Sequence, residues 1–244
     1  MISPRLFIRT LVRRLGYDLH SLPVECLTLR DLEFDLPCLV GARDPRVLDV
    51  GANVGQSIDL FRRTLKNPRI VSFEPNPTLA TGLRQKYAAC DVRVEAMALG
   101  SSEGTISFNI LENHELSSVL PLLANEENPF RDTAVLQTID IPITTVDSYL
   151  RNARLDRVDL LKIDTQGFDL EVLRGAVGAL GRRAIGIILV EVNLISLYAG
   201  QGSLGEVERF LAGSGYGLLG LYEVNRLNGR IRWATACFQP ALRR

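Results

Sequence analysis

The residues with the clearest capacity for chemistry stand in a short run, Asp49-Val-Gly-Ala-Asn-Val-Gly55, set between a β-branched stretch and a helical one. Glycines at 51 and 55 allow a tight turn and a close backbone approach to a ligand, with no Cβ in the way. In open parallel sheets ligands sit at the carboxyl ends of the strands. Asp49, Gly51, Asn53 and Gly55 are therefore candidates for holding a nucleoside cofactor. The dinucleotide fingerprint GxGxxG needs glycine at 53 and 56, where this chain has Asn53 and Gln56. An acid at 49 repels a pyrophosphate and suits the cationic sulfonium and α-amino group of S-adenosylmethionine. No Gly-Lys-Ser/Thr follows, which excludes a P-loop. Glu74, in Phe73-Glu-Pro-Asn-Pro77, falls at the end of the next strand, where an acid accepts both ribose hydroxyls. Ala96 and Met97, just past a third strand, complete the candidate donor set. Taken singly, GxxxG also marks close helix packing and a strand-end Glu also merely meets solvent. One strand–helix unit apart, they read as a cofactor site.

The acceptor side offers Asp164, Glu191 and His114. Asp164 ends a strand that faces the methionine end of such a donor, where it binds the donor's amino group, orients an acceptor hydroxyl, or only caps the following helix. Glu191 ends a very apolar strand, where an unpaired charge is costly. Pocket function is one compensation; a structural partner such as an arginine is the other. His114 has a side chain suited to base catalysis near neutrality, and an exposed loop position is its bland alternative. Ser117 and Ser118 follow it in an ordinary polar loop, and Asp147 reads as a helix cap. Hard-cation assistance through Asp164, Glu191 and Asn193 is chemically open, but nothing in the spacing demands it. The expectation is metal-independent chemistry.

These residues must be held by alternating strands and helices, the signature of βαβ units and a parallel sheet. Strands are predicted at 46–50, 70–74, 92–95, 158–164 and 185–192, and a final pair at 216–223 and 230–238 is joined by an Asn228-Gly229 turn. Val54, Ile58, Phe61 and Leu65 mark one helix face, and Leu170, Leu173, Val177 and Leu180 another. Further helices are predicted from the Pro-Asn-Pro turn to Tyr87, over 145–150 and over 204–211. The stretch 98–142, with alternating runs and a polar loop, reads as an antiparallel insertion. Five parallel strands closed by an antiparallel hairpin is the element order of class I methyltransferases: an α/β, Rossmann-like, doubly wound, mostly parallel seven-stranded sheet. An ordinary dinucleotide-binding fold also begins with parallel strands, and the closing hairpin tips the balance without deciding it. Two regions are expected, an N-terminal helical extension over 1–40 and the main domain over 41–244.

Composition narrows the partners. With 28 basic and 28 acidic residues, the chain lacks the charge excess that grips phosphate backbones, which argues against nucleic acid. Cys26, Cys38, Cys90 and Cys237 form no CxxC pair, and with only His20 and His114 a structural zinc site lacks spaced ligands. Free thiols in a reducing cytoplasm are expected. Arg5, Arg9 and Arg13 interrupt every apolar run before His20, leaving no signal-peptide core and no span. A helix packed on the domain is the expectation there, with peripheral membrane contact the less favoured one.

In order along the chain, Asp49-Val-Gly-Ala-Asn-Val-Gly55, Ser72-Phe-Glu-Pro75, Ala98-Leu-Gly100, Ser117-Ser118, Thr145-Val-Asp147, Lys162-Ile-Asp-Thr-Gln-Gly167 and Val172-Leu-Arg-Gly-Ala176 resemble the FkbM-type methyltransferases. The likeness runs from about residue 45 to the end. It implies a class I fold, S-adenosylmethionine as donor, and O-methylation, commonly of a hydroxyl on a sugar, glycolipid or polyketide-type product. It also implies that Ser117 and Ser118 line the acceptor pocket. Many members carry Glu at the place of Gln166, and Ala234-Thr-Ala-Cys-Phe238 has Thr235 where the family pattern has an acid. The expected function is O-methylation of a saccharide, glycolipid or glycosylated natural product. The alternatives are a small natural product or protein side chain as acceptor, and a non-catalytic donor-binding module. Oligomeric state is left open.

Overall fold

The computed structural model describes residues 27–29 and 31–241, so the expectations for Met1–His20 and for Cys26 lie outside the described residues. The chain runs α1 (Leu32–Val40), β1 (Arg46–Val50), α2 (Gln56–Thr64), β2 (Arg69–Phe73), α3 (Pro77–Lys86) and β3 (Val92–Glu95). It continues through β4 (Ala98–Leu99), β5 (Gly104–Leu111), β6 (Val135–Thr144), α4 (Val146–Asn152), β7 (Val158–Ile163), α5 (Asp169–Arg174) and α6 (Val177–Gly181). The last elements are β8 (Ile185–Asn193), α7 (Leu204–Gly213), β9 (Tyr216–Leu227) and β10 (Arg230–Pro240).

Seven strands form the main sheet in the order β3-β2-β1-β7-β8-β10-β9. The first five are parallel, and β10 runs antiparallel between β8 and β9. The direction of winding reverses between β1 and β7, which opens a crevice at their carboxyl ends. The alternation of the strands feeds two apolar layers. Leu48, Val50, Leu161 and Ile163 face one with Leu173 and Leu180, and Val47, Ile70 and Leu160 face the other with Ile58 and Phe61. The inserted stretch forms a separate sheet, β4-β6-β5, in which β5 and β6 are antiparallel. Among the described residues no helix is long and apolar enough to cross a membrane, and Cys38, Cys90 and Cys237 are free thiols.

Local signals place most helix starts. The Asn76 side chain accepts from the Thr78 and Leu79 amides with Pro77 in the first turn, Thr145 accepts from Ser148, and Ser203 with Glu206 makes a capping box. Two helical expectations need correction. Val54 is 39% exposed and precedes α2, because the turn through Gly55 delays the helix to Gln56. The stripe ending Val177–Leu180 is not continuous: α5 stops at Gly175 and α6 restarts at Val177, which is 55% exposed. A Cβ at Gly175 would stand 2.0 Å from the Gly100 carbonyl oxygen, so the chain is redirected there to let the two backbones touch. Asp147 caps the restarted helix α6, accepting from the Gly178 and Ala179 amides at 2.6 and 2.7 Å.

Helix α1, which lies within the stretch expected as an N-terminal extension, packs on the sheet. Leu32 and Leu36 join the apolar layer of Val47 and Ile58. The buried Asp35 accepts from the Thr28 and Leu29 amides and from the Tyr222 hydroxyl, the last at 2.9 Å.

Candidate active site

A cavity of about 750 Å³ opens at the carboxyl ends of β1, β2, β7 and β8. Gly51, at φ 87°, turns the chain out of β1; a Cβ there would lie 1.8 Å from the Asp164 carbonyl oxygen, so only glycine fits. The Gly51 and Ala52 amides both donate to the Phe73 carbonyl, at 3.0 and 3.1 Å, which locks the turn against the end of β2. Glu74 stands beside it, 5% exposed, with one carboxyl oxygen accepting the Asn53 amide at 2.7 Å and the other the Asn76 amide at 2.8 Å. Burial raises its pKa to about 7, against the two amides that lower it. Gly51, Asn53, Glu74 and Met97 line the cavity, whereas Ala96 packs against the apolar layer and is not part of the wall.

Asp49 is placed differently from a wall residue. It is fully buried beneath the turn, accepts the Ser72 hydroxyl at 3.0 Å, and leaves Oδ1 without a hydrogen bond, 3.7 Å from Lys162 Nζ. Burial raises its pKa, while Lys162 and then Ser72 act in the opposite sense. Its charge therefore acts first on a lysine the sequence reading did not single out. Lys162 also donates to the Gly51 carbonyl at 3.1 Å and lies 3.2 Å from Asp164 Oδ2, coupling β7 to the glycine turn. Burial disfavours the ammonium, but Asp164 and Asp49 outweigh it and hold the pKa above the ordinary lysine value.

Asp164 and Glu191 come together through Gln166, whose amide nitrogen lies 2.8 Å from Asp164 Oδ1 and 2.8 Å from Glu191 Oε2. Among the described residues no arginine answers Glu191, whose partner is this amide. Gln166 adopts φ 54° and is clamped on every side. Its side-chain oxygen is 2.8 Å from the Tyr198 hydroxyl, and its carbonyl accepts the buried Ser118 hydroxyl at 2.9 Å. Asp169 holds the same loop by accepting the Thr165 and Gly167 amides at 2.8 and 3.0 Å. Burial raises Asp164, but Lys162 and the neighbouring hydrogen bonds prevail and lower its pKa. Glu191 is pushed well above the usual carboxylate range by burial and by the Asp164 charge. Two carboxyls this close share their charge unequally: the negative charge is favoured on Asp164 and disfavoured on Glu191.

The inserted region covers the mouth. A short 3-10 turn, His114–Leu116, brings His114 Nδ1 to 2.8 Å from Asn53 Oδ1, with His114 exposed and on the cavity wall. Ser117 also lines the cavity while accepting the Leu111 amide; Ser118 is buried behind it. From the other flank α1 contributes Asp31, Leu32 and Glu33, the last paired with Arg63 at 2.6 Å. Asn193 ends β8, buried, with its amide nitrogen unpartnered. Sequence reasoning did not reach Lys162, Tyr198, Trp233 or Glu223, and treated Gln166 only as a variant position. The run Lys162-Ile-Asp-Thr-Gln-Gly167, polar residues at the end of an apolar strand, was a signal for Lys162 and Gln166 but not for Tyr198, Trp233 or Glu223.

Known proteins resemble this chain in sequence and in fold. Methyltransferase sdnD of Sordaria araneosa is 28% identical over 158 residues, covering 54% of this chain and 60% of that protein. The 2-O-methyltransferase NoeI of Sinorhizobium fredii is 25% identical over 165 residues, covering 65% of this chain and 67% of its own length. The crystal structure of an FkbM methyltransferase from Methylobacillus flagellatus superposes with a TM-score of 0.54 at 16% identity, over 81% of this chain and 44% of that one, and so shares the fold. This chain thus spans from under half to about two thirds of the length of these three proteins. The family model for the methyltransferase FkbM domain matches residues 49–218, from the glycine turn into β9. The chain belongs to the FkbM-type family of S-adenosylmethionine-dependent methyltransferases.

Proposed function

We propose that this chain transfers a methyl group from S-adenosylmethionine to a hydroxyl of a saccharide, glycolipid or related glycosylated natural product. The observation that carries the reading is the gathering of Asp164 and Glu191 on one Gln166 amide, 2.8 Å to each, beside the Gly51 turn. The residues fit the donor. Each Glu74 oxygen accepts a single backbone amide and keeps a lone pair for a ribose hydroxyl. Gly51 offers bare backbone, and Asn53 with Gly55 shapes the turn. Met97 lines the wall beyond β3, while Ala96 packs into the apolar layer of Val47 and Ile58. Asp49 acts from below by positioning Lys162.

The bound donor supplies an electrophilic methyl on a sulfonium. The protein has to hold the acceptor oxygen in line and exclude water, and such positioning is worth roughly 7–11 kcal/mol against about 10²–10⁴-fold for a general base. Asp164, ionised and fixed by Lys162 and Gln166, binds the donor's amino group or orients the acceptor hydroxyl. Glu191, whose pKa is raised by burial and by the Asp164 charge, is placed to donate to an acceptor oxygen or to Asp164 when it holds a proton. His114, exposed at the mouth, is placed to carry the released proton to solvent. The name of the relative NoeI supports oxygen as the nucleophile.

Calorimetry with S-adenosylhomocysteine, followed by incubation with S-adenosylmethionine and an extract of cell-surface sugars, tests the reading. The expected result is micromolar binding and release of S-adenosylhomocysteine with a sugar gaining one methyl by mass spectrometry. Binding without turnover on any extract would leave a non-catalytic donor-binding module. Tight uptake of NADH, with adenosyl ligands failing to compete, would remove the donor assignment itself.

A further inference from the structure

The cavity wall farthest along the main sheet is built by an irregularity in the last hairpin. Thr235 on β10 pairs with Tyr222 on β9, and Trp233 pairs with Asn225, so Ala234 alone faces two residues, Glu223 and Val224. This is a bulge, and Glu223 sits in it at φ 51°, a left-handed conformation that is strained for a non-glycine residue. In an unbroken strand the two-residue alternation would turn Glu223 away from the face of Tyr222 and Thr235. The bulge turns it back, and its carboxylate accepts the Thr235 hydroxyl at 2.7 Å while lining the cavity. Bulges beside sites are a recurrent means of aiming one side chain. Thr235 also pairs with Glu191 on β8, so Glu223 adjoins the Asp164–Gln166–Glu191 array.

Trp233, the chain's one tryptophan, lines the same wall and is half-buried. Arg232 lies over one face of its ring, 4.5 Å from the centroid, and Phe130 braces it with centroids 6.0 Å apart. An indole with one covered face offers the other as a flat platform. The charge on the wall is one-sided. Among the described residues, seven lining side chains carry carboxyls, against Arg63, already paired with Glu33, and Lys162, held between Asp49 and Asp164.

We propose that Trp233 and Glu223, the latter steadied by Thr235, form the acceptor subsite, and that it takes a neutral pyranose ring. The C–H face of the sugar stacks on the indole, one hydroxyl donates to the Glu223 carboxylate, and an anionic ring is repelled. Thr235 thus borders a carboxylate delivered from the neighbouring strand. The inference rests on the methyl-transfer reading above.

Because Trp233 is the sole tryptophan, its fluorescence reports on this wall without turnover. The protein loaded with S-adenosylhomocysteine is titrated with methyl glucopyranoside, galactopyranoside and fucopyranoside, and with methyl glucuronide. In parallel, S-adenosylhomocysteine release is followed with the same sugars and S-adenosylmethionine. A saturable emission change with at least one neutral pyranoside is expected, with the glucuronide weaker. Glu223→Ala should weaken sugar binding and raise KM about tenfold or more, as for a lost charge-assisted hydrogen bond, with Glu223→Gln intermediate. Trp233→Leu should raise KM similarly, and all three variants should keep the parent's affinity for S-adenosylhomocysteine, which reports an intact fold. Methylation of a pyranoside that leaves Trp233 emission unchanged would overturn the subsite and spare the function. So would an unchanged affinity in Glu223→Ala, or a preference for the glucuronide. Saturable emission without methyl transfer would uphold the subsite and overturn the function; the absence of both would overturn both.

Discussion

Replacing Lys162 by methionine keeps the volume of the side chain and removes its charge. In the parent the ammonium is 3.2 Å from Asp164 and 3.7 Å from Asp49, and only 14% of the side chain is exposed. At an effective dielectric of 20, each attraction is about 5 kcal/mol before the cost of desolvating the ions. The measured cost of removing one partner from a buried pair is about 3–5 kcal/mol, because the other charge is left uncompensated. For a chain of this size that is a fall in Tm of about 6–20 °C near neutral pH. The pH dependence carries the diagnosis. Lys162 lowers the pKa of both Asp49 and Asp164, so its loss raises both. Between the unfolded carboxyl pKa and the raised folded values, the folded variant then binds more protons than the unfolded one. Its stability falls as pH rises through that window. The lowered pKa of Asp164 in the parent has the opposite sign: its contribution is present above the unfolded value and lost as pH falls through the folded one. Urea unfolding at pH 5.5 and pH 8 should therefore show the gap between variant and parent shrinking on acidification, by about 1.4 kcal/mol per pH unit for each extra proton held. A variant within about 1 kcal/mol of the parent at pH 8, or a gap indifferent to pH, would show that Lys162 does not compensate these carboxylates.

Gly51→Ala forces a Cβ to within 1.8 Å of the Asp164 carbonyl at a left-handed backbone position; S-adenosylhomocysteine binding should fall beyond detection by calorimetry, and parent-like affinity would refute the role given to the turn. Asp147→Ala removes the acceptor for two α6 amides, so chemical denaturation should register a loss of about 1–2 kcal/mol with donor affinity unchanged. Glu74 has its pKa raised to about 7; if the ionised form accepts the ribose hydroxyls, S-adenosylhomocysteine affinity should drop about tenfold between pH 8 and pH 6, and a flat profile would exclude Glu74 from that contact.

The features legible in the sequence are those decided within a few residues. The Gly51 turn, the Asn76 cap followed by Pro77, the alternation of β1 and β7 and the Asn228-Gly229 hairpin each need only near neighbours to form. Glu74 and Asp164 could be assigned to the crevice because each directly follows a strand of the parallel sheet, and the ends of parallel strands converge wherever the winding reverses. Val177 failed as a helix-face residue because the interruption at Gly175 answers to the Gly100 backbone, far away in the chain.

By itself, the order of apolar and polar residues determined a doubly wound sheet, its closing hairpin, the inserted strands and the place of the glycine turn, since hydrophobic period and turn chemistry are local properties. Only the tertiary structure decided which charges meet. It buried Asp49 against Lys162 rather than opening it to the cavity, joined Asp164 to Glu191 through Gln166, used Asp147 as the cap of a helix thirty residues on, and swung Glu223 around a bulge onto Thr235. Those contacts depend on strand register and on the packing of elements far apart in the chain, and a shift of one residue in either would send the same side chains to the opposite face.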